Sequence, residues 1–330
     1  MFFFLGFVIL DLAPPILVLF GVFETCCAVW TVSPIKRKNI INKLWQGRVN
    51  NMRAMYKANI PMEVYSQVEL EINVVDAFTD VVFKGNSAAV IITKDWLSDE
   101  IMQSIAIENN LSETAYVKKI DIHNYEIRWF SPITEIDFCG HATLAASFVI
   151  FAKNDDVKNI NFYAQAVGNL SVTKMDSGYI QMDFPSRPPE TIKDIPAVLL
   201  NGLSITPKEV LLNNQAYFVV YENEVDVTSV VPNNELLKQL APYDVVVTAK
   251  SNNYDFVSRY FWPANGGDED PVTGSIHTGL APYWAGKLNK SRLIAYQASK
   301  RGGNIICKVA DDRVLLLGKA VQYLKGTIQV

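Results

Sequence analysis

A few positions carry side chains whose chemistry their neighbours do not explain. Glu113 lies in "ENNLSETAYV", after a polar turn and at the start of a strand-like run. A carboxylate at a strand edge is ordinarily a solvated group. A glutamate becomes a competent general base near neutral pH when partial burial lifts its pKa. Cys139, Gly140 and His141 follow one another in "IDFCGHATLAA", between a strand-like run and a helix-like one. The thiol and imidazole could form a nucleophile and base. Residues two apart at a helix entrance are not expected to point at each other, however. Zinc needs three or four converging ligands, and no Cys-x-x-Cys or His-x-x-x-His spacing exists, so a buried structural cysteine is the plainer expectation. A positive helix entrance would keep His141 neutral, able to donate a hydrogen bond to a substrate oxygen. Asp270, in "DEDPVTGS", is either a turn acid beside Pro271 or a carboxylate that receives a substrate amine or hydroxyl. Ser275 follows Gly274 and could cap a helix or bind an anion. No G-x-G-x-x-G, G-x-x-x-x-G-K-[ST] or G-x-S-x-G pattern occurs, so nucleotide binding and a serine-hydrolase elbow have no support.

Several elements must position these residues. "VELEINVVDAF" alternates and is β-branched, which predicts a strand, and "FKGNSAAVIIT" predicts a turn and a second strand. "DWLSDEIMQSIAIENN" predicts a helix capped by Ser98, with apolar residues at Trp96, Leu97, Ile101, Ile105 and Ile107. "SETAYVKKI" and "NYEIRWFSP" read as strands, and "GHATLAASFVIFAK" as a helix entered through glycine.

The chain then echoes itself. Arg-aromatic-Phe-x-Pro occurs at Arg128–Pro132 and again at Arg259–Pro263. Each copy is followed by a polar turn, "CGHAT" or "EDPVTG", and then by a small-residue helix, "LAASFVIF" or "SIHTGLAPYW". An offset of about 130 residues is too long for a solenoid and fits two similar domains, each with strands leading into a central helix. If the halves face each other, two helix N-termini meet in one cleft, where unpaired N–H groups favour a carboxylate or phosphate.

Composition narrows the partner class. Residues 1–62 carry seven Lys or Arg and two acids, net +5; the whole chain is −4, so residues 63–330 carry −9. Nucleic acid is a poor partner for so acidic a body, and a small polar substrate a better one. Four cysteines in 330 residues make no disulfide framework, which favours a reducing, cytoplasmic setting for the body. Residues 1–32 are almost wholly apolar but broken by Asp11, Glu24, Pro14 and Pro15. Three readings stand open for them: a membrane anchor with the body facing the cytoplasm, a signal peptide lacking its basic start, or a dispensable extension with Met52, Met55 or Met62 as later starts. Membrane contact is expected only if the segment is retained as an anchor.

Four blocks, "VDAFTDVVFKGNSAAVI", "NNLSETAYV", "IRWFSPITEIDFCGHATLA" and "DEDPVTGSIHTG", together resemble the PhzF-like family of phenazine biosynthesis-like proteins, in pattern its animal branch. The resemblance covers about residues 68–330 and leaves residues 1–62 outside. It implies the diaminopimelate-epimerase-like fold: an α/β (α+β) chain of two pseudo-twofold-related domains, each a sheet wrapped round a central helix. The domains are expected at 68–165 and 166–330, with the last strand returning to the first domain. The resemblance assigns proton shuttling to Glu113 and substrate orientation to His141 and Asp270. It gives the backbone around Gly140 and Gly274, with Ser275, to the substrate carboxylate, and has Asn86 shape the cleft. It implies no metal, no organic cofactor and a homodimer. Related epimerases of this fold use two opposed cysteines. Cys139 falls near the first position, "EDPVTG" offers no second, and Cys307 lies too far on. The expected activity is a cofactor-independent isomerase acting on a small carboxylate-bearing substrate. Its rivals are a racemase or epimerase using Cys139 and a non-catalytic binding or regulatory protein.

Overall fold

The computed structural model of the protein describes residues 68–330. The apolar and basic N-terminal segments lie outside the described residues. Among the described residues no helix is long and apolar enough to cross a membrane.

The first half of the fold contains β1 (Glu69–Ala77), β2 (Asn86–Thr93), β3 (Glu113–Lys119), β4 (Asn124–Phe130), β5 (Glu135–Ile136), β6 (Asn159–Ala164), β7 (Gly168–Lys174) and β8 (Ile180–Pro185). Going from β1 to β8 through β2, β3, β4, β6 and β7, successive pairings are antiparallel, parallel, antiparallel, parallel, antiparallel and antiparallel. After the short β9 (Glu190–Thr191) come β10 (Glu209–Leu212), β11 (Ala216–Val220), β12 (Asp244–Lys250), β13 (Phe256–Trp262), β14 (Gly267–Asp270), β15 (Arg292–Gln297), β16 (Gly303–Ala310) and β17 (Arg313–Gly318). From β10 to β17 the same six pairings recur in the same order. The short arm β5 hangs on β4 as β14 hangs on β13. The two copies join where β8 pairs with β17. The last strand, β18 (Ala320–Gln329), crosses back to pair with β1.

The repeat therefore divides after β8, at Pro185, some twenty residues beyond the division expected at 165/166. In the order of pairings the hairpin β7–β8 matches β16–β17 and so closes the first copy.

The helices are α1 (Asp99–Asn109), α2 (Gly140–Lys153), α3 (Ala197–Asn201), α4 (Glu224–Ser229), α5 (Asn234–Leu237) and α6 (His277–Leu288). In α2, 11 of 14 residues are buried, so it is covered on nearly every side and fits inside a wrapped sheet. Its Leu144, Val149 and Ile150 share one core with Leu280, Ala281 and Trp284 of α6. Strands β2 and β3 are buried on both faces because α1 covers the side away from α2. Ser98 caps α1, accepting from the Ile101 amide at 3.3 Å. The buried face of α1 is Met102, Ile105 and Ala106, whereas Ile101 and Ile107 are exposed.

Candidate active site

Both central helices start from the same local device. Arg128 on β4 makes a bidentate bridge to Glu135 on β5, at 2.6 Å to each oxygen, and Arg259 on β13 does the same to Glu269 on β14, at 2.7 and 2.9 Å. The repeated arginine motif is thus structural: it holds the short arm that leads into each helix.

The helix entrances then meet. A Cβ built on Gly140 would lie 3.5 Å from the Cα of Gly274 and 3.7 Å from the backbone nitrogen of Ser275. Neither helix has a side-chain cap: Cys139 supplies none to α2 and Ile276 none to α6. The first N–H groups of a helix have no partner within it, and at α2 they belong to buried residues. The uncapped, partly positive start of α2 is thereby set against the turn that leads into α6, whose first amides donate to the Gly274, Ser275 and Ile276 carbonyls.

Glu113, the first residue of β3, is 6% exposed, and His141 is 4% exposed. Nε2 of His141 lies 2.9 Å from Oε2 of Glu113. The ring N–H is not aimed at that oxygen, so Oε2 is a buried acceptor in an ion pair but without a hydrogen bond. Sγ of Cys139 lies 3.3 Å from Nδ1 of His141, against the expectation that the two would diverge. The reason is local: Cys139 is still in extended conformation (φ −142°, ψ 112°), so helical spacing does not govern its side chain.

Electrostatics follow from this packing. Burial first, then the Glu113 charge, push the Cys139 thiol up to about 11, so it stays protonated at neutral pH. Burial would lower His141, but Cys139 and Glu113 outweigh it and hold the imidazole well above its ordinary value. Against the neutral form expected from the helix entrance, the structure thus sets a carboxylate oxygen 2.9 Å from Nε2. Donor atoms of Glu113, Cys139 and His141 also lie within 4.8 Å of one another, a convergence of metal-ligand types that the sequence spacing did not show. Ligation there would require the thiol and the ligating imidazole nitrogen to be free of their protons.

Asn86, fully buried, ties the group together. Its amide nitrogen donates to Oδ1 of Asp270 at 2.8 Å and to the Val272 carbonyl at 3.1 Å, and lies 3.2 Å from Nδ1 of His141. Its carbonyl accepts from the Ser112 hydroxyl at 3.1 Å. Asp270 also accepts from Thr273, and burial pushes its pKa up to about 6 against the opposing pull of His141. Gln297 fixes the turn by accepting from the Thr273 amide and donating to the Asp270 carbonyl, at 2.9 and 2.8 Å.

The fold thus brings Asn86, Glu113, Cys139, His141 and Asp270 into one buried cluster, beside the meeting point of Gly140, Gly274 and Ser275. A cavity of about 540 Å³ opens at Ser275, lined also by Phe138, Thr278, Arg187 and Arg313. Sequence reasoning missed Thr273, Gln297, Gln215, Tyr260 and Asp244. Tyr260 stands in the repeated arginine motif and Thr273 in "EDPVTG", without a role assigned to either, and the 131-residue offset between Arg128 and Arg259, applied to Glu113, falls on Asp244.

Residues 75–326 match the family model described as phenazine biosynthesis-like protein. An uncharacterized isomerase of Pseudomonas aeruginosa is 46% identical over 263 residues, covering 80% of this chain and all of the relative. The bovine phenazine biosynthesis-like domain-containing protein is 33% identical over 291 residues, covering 79% and 99%. These bacterial and animal relatives rank opposite to the animal-branch pattern read from the motifs. A crystal structure of a PhzF-family protein from Enterococcus faecalis superposes with TM-score 0.75 at 42% identity, covering 80% of this chain and all of that one. A hydroxyproline epimerase from Agrobacterium vitis shares the fold alone, at TM-score 0.52 and 9% identity with 79% and 93% covered. The chain belongs to the phenazine biosynthesis-like (PhzC/PhzF) family, an isomerase family of epimerase-like α/β fold.

Proposed function

We propose that the protein is an isomerase that shifts a proton on a small carboxylate-bearing substrate, with Glu113 as the acid/base. The observation that carries this reading is the Oε2 atom of Glu113: buried, without a hydrogen-bond partner, and 2.9 Å from Nε2 of His141. In this reading Oε2 takes a proton from a carbon acidified by conjugation. The C–H electron pair enters the conjugated system and ends on the substrate's oxygens. Glu113 then returns the proton to another carbon on the same face. Atoms and charge balance without a co-reactant. The N–H groups at Gly140 and Ser275, with the Ser275 hydroxyl, hold the substrate carboxylate, while His141 donates a hydrogen bond that stabilises developing charge. Asp270 receives a polar hydrogen of the substrate.

A two-thiol racemase fits the geometry less well. Gly140 faces Gly274, so the position matching Cys139 is Thr273, and Cys307 lies on β16. The test is solvent exchange. The protein is incubated in D₂O with a panel of small amino, hydroxy and unsaturated acids, and mass gain is followed. Wild type should label at least one acid, and Glu113→Gln should label it at least about 10²-fold more slowly. Equal labelling by Glu113→Gln removes Glu113 from the chemistry. Tight binding of an acid without any labelling favours a binding protein.

A further inference from the structure

The pseudo-twofold gives Glu113 a counterpart. Glu113 sits opposite Ala88 in the parallel β2–β3 pair, and Asp244 sits opposite Ala216 in the parallel β11–β12 pair. The next residues agree: Thr114 faces Phe130 and Val245 faces Phe261. Asp244 therefore stands at the start of the second half's strand, as Glu113 does in the first. Its partners differ. Oδ2 of Asp244 accepts from the Tyr260 hydroxyl at 2.5 Å, and Oδ1 accepts from the Asn265 amide at 2.8 Å. The Tyr260 oxygen accepts from Nε2 of Gln215 at 3.0 Å. The second hydrogen of that nitrogen goes to Oγ of Ser275 at 2.9 Å.

Each donor in this chain has one assignment. Tyr260 donates its only hydroxyl hydrogen to Asp244, so its oxygen must accept from Gln215. Gln215 spends both amide hydrogens on Tyr260 and Ser275. Ser275 Oγ is therefore an acceptor toward Gln215, which leaves its own hydroxyl hydrogen free to donate elsewhere. Ser275 lines the cavity at the mouth of α6. We infer that Asp244, Tyr260 and Gln215 form a positioning network that fixes the Ser275 hydroxyl as a donor to the anionic oxygen of the substrate. The half that lacks the catalytic carboxylate uses its matching carboxylate to orient the group that holds the substrate. This rests on the isomerase reading only for what the hydroxyl binds; its orientation is a property of the protein alone.

The test has two readouts. The first needs no substrate: side-chain coupling constants report the χ1 rotamer of Ser275 in wild type, Tyr260→Phe and Gln215→Met. One rotamer is expected in wild type and averaging in both variants. A single Ser275 rotamer in all three proteins overturns the proposal. The second readout uses an acid that the protein labels in D₂O. Tyr260→Phe should raise KM about 3- to 10-fold with kcat nearly unchanged. Ser275→Ala should do the same, and the double variant should add nothing further. Additive KM effects would show that Tyr260 does not act through Ser275 and overturn the proposal. Failure of the isomerase reading would appear in Glu113→Gln and leave the rotamer result standing.

Discussion

Asn86 Nδ2 donates to Oδ1 of Asp270 at 2.8 Å across 184 residues of chain. One partner begins β2 in the first half, and the other ends β14 in the second. Because Asn86 also accepts from Ser112, the residue before Glu113, one amide sets the spacing between the two carboxylates. Its burial raises the stakes, since a polar group sealed from water must find its partner inside the protein.

Replacing that amide should therefore be costly. Asn86→Ala leaves Asp270 short of a donor and Ser112 short of an acceptor. A loss of about 2–4 kcal/mol in urea unfolding is expected. The Asp270 pKa should rise further, because the Asn86 hydrogen bond holds it down. Carboxyl NMR titration reads this directly, and an unmoved Asp270 would show that burial alone sets its proton affinity.

The strands and the two central helices were readable because their apolar periods and glycine entrances are local. The repeat was readable because Arg128 and Arg259 recur with their aromatic neighbours. Where the repeat closes was less legible, because the β7–β8 hairpin carries no local mark of its neighbours; its partner strands β6 and β17 are set by the tertiary fold. The face of α1 was less legible for a similar reason. Ile105 meets the sheet with Met102 and Ala106, a set at helical spacing, whereas Ile101 and Ile107 point elsewhere on the helix, and which stripe is covered is a tertiary matter. The Glu113–His141–Cys139 contact was hidden because it depends on the extended conformation of one residue, Cys139.

Asp270 makes stability depend on pH. Its pKa is raised from 3.8 to about 6, chiefly by burial. A carboxyl with a raised folded pKa contributes stability that is fully present below its unfolded pKa and lost as pH rises through the folded one. Between pH 4 and 7.5 wild type should therefore lose on the order of 2 kcal/mol relative to Asp270→Asn. Urea unfolding of both proteins at the two pH values measures this. A difference that does not change with pH would mean that Asp270 titrates alike in the folded and unfolded chains.

The thiol should be dispensable for proton transfer. Cys139 is held as a thiol, up to about 11, and Thr273 stands where an opposed cysteine would be needed. Cys139→Ser should keep solvent exchange within about 5-fold of wild type, well short of the 10² to 10⁴ typical of a lost acid or base. A fall of about 10³ or more, accompanied by inversion at the labelled carbon, would move the chemistry to the thiol and favour the racemase reading.

The facing glycines separate binding from folding. A methyl on Gly140 meets Gly274 and Ser275 at ordinary contact distances, 3.5 and 3.7 Å, so the fold has room for it. Alanine also suits the first turn of α2 better than glycine, by up to about 1 kcal/mol. The same methyl stands over the Ser275 nitrogen, where the substrate carboxylate is proposed to sit. Gly140→Ala should therefore unfold no earlier than wild type, yet show a KM raised about 10-fold through one lost charge-assisted hydrogen bond. Gly274→Ala differs, because its methyl would press to 3.2 Å on the buried Phe78 ring, and it should lose stability as well. If Gly140→Ala binds and turns over its acid as wild type does, the helix entrances do not hold the carboxylate, and the anion must be bound from the Arg187 and Arg313 side of the cavity.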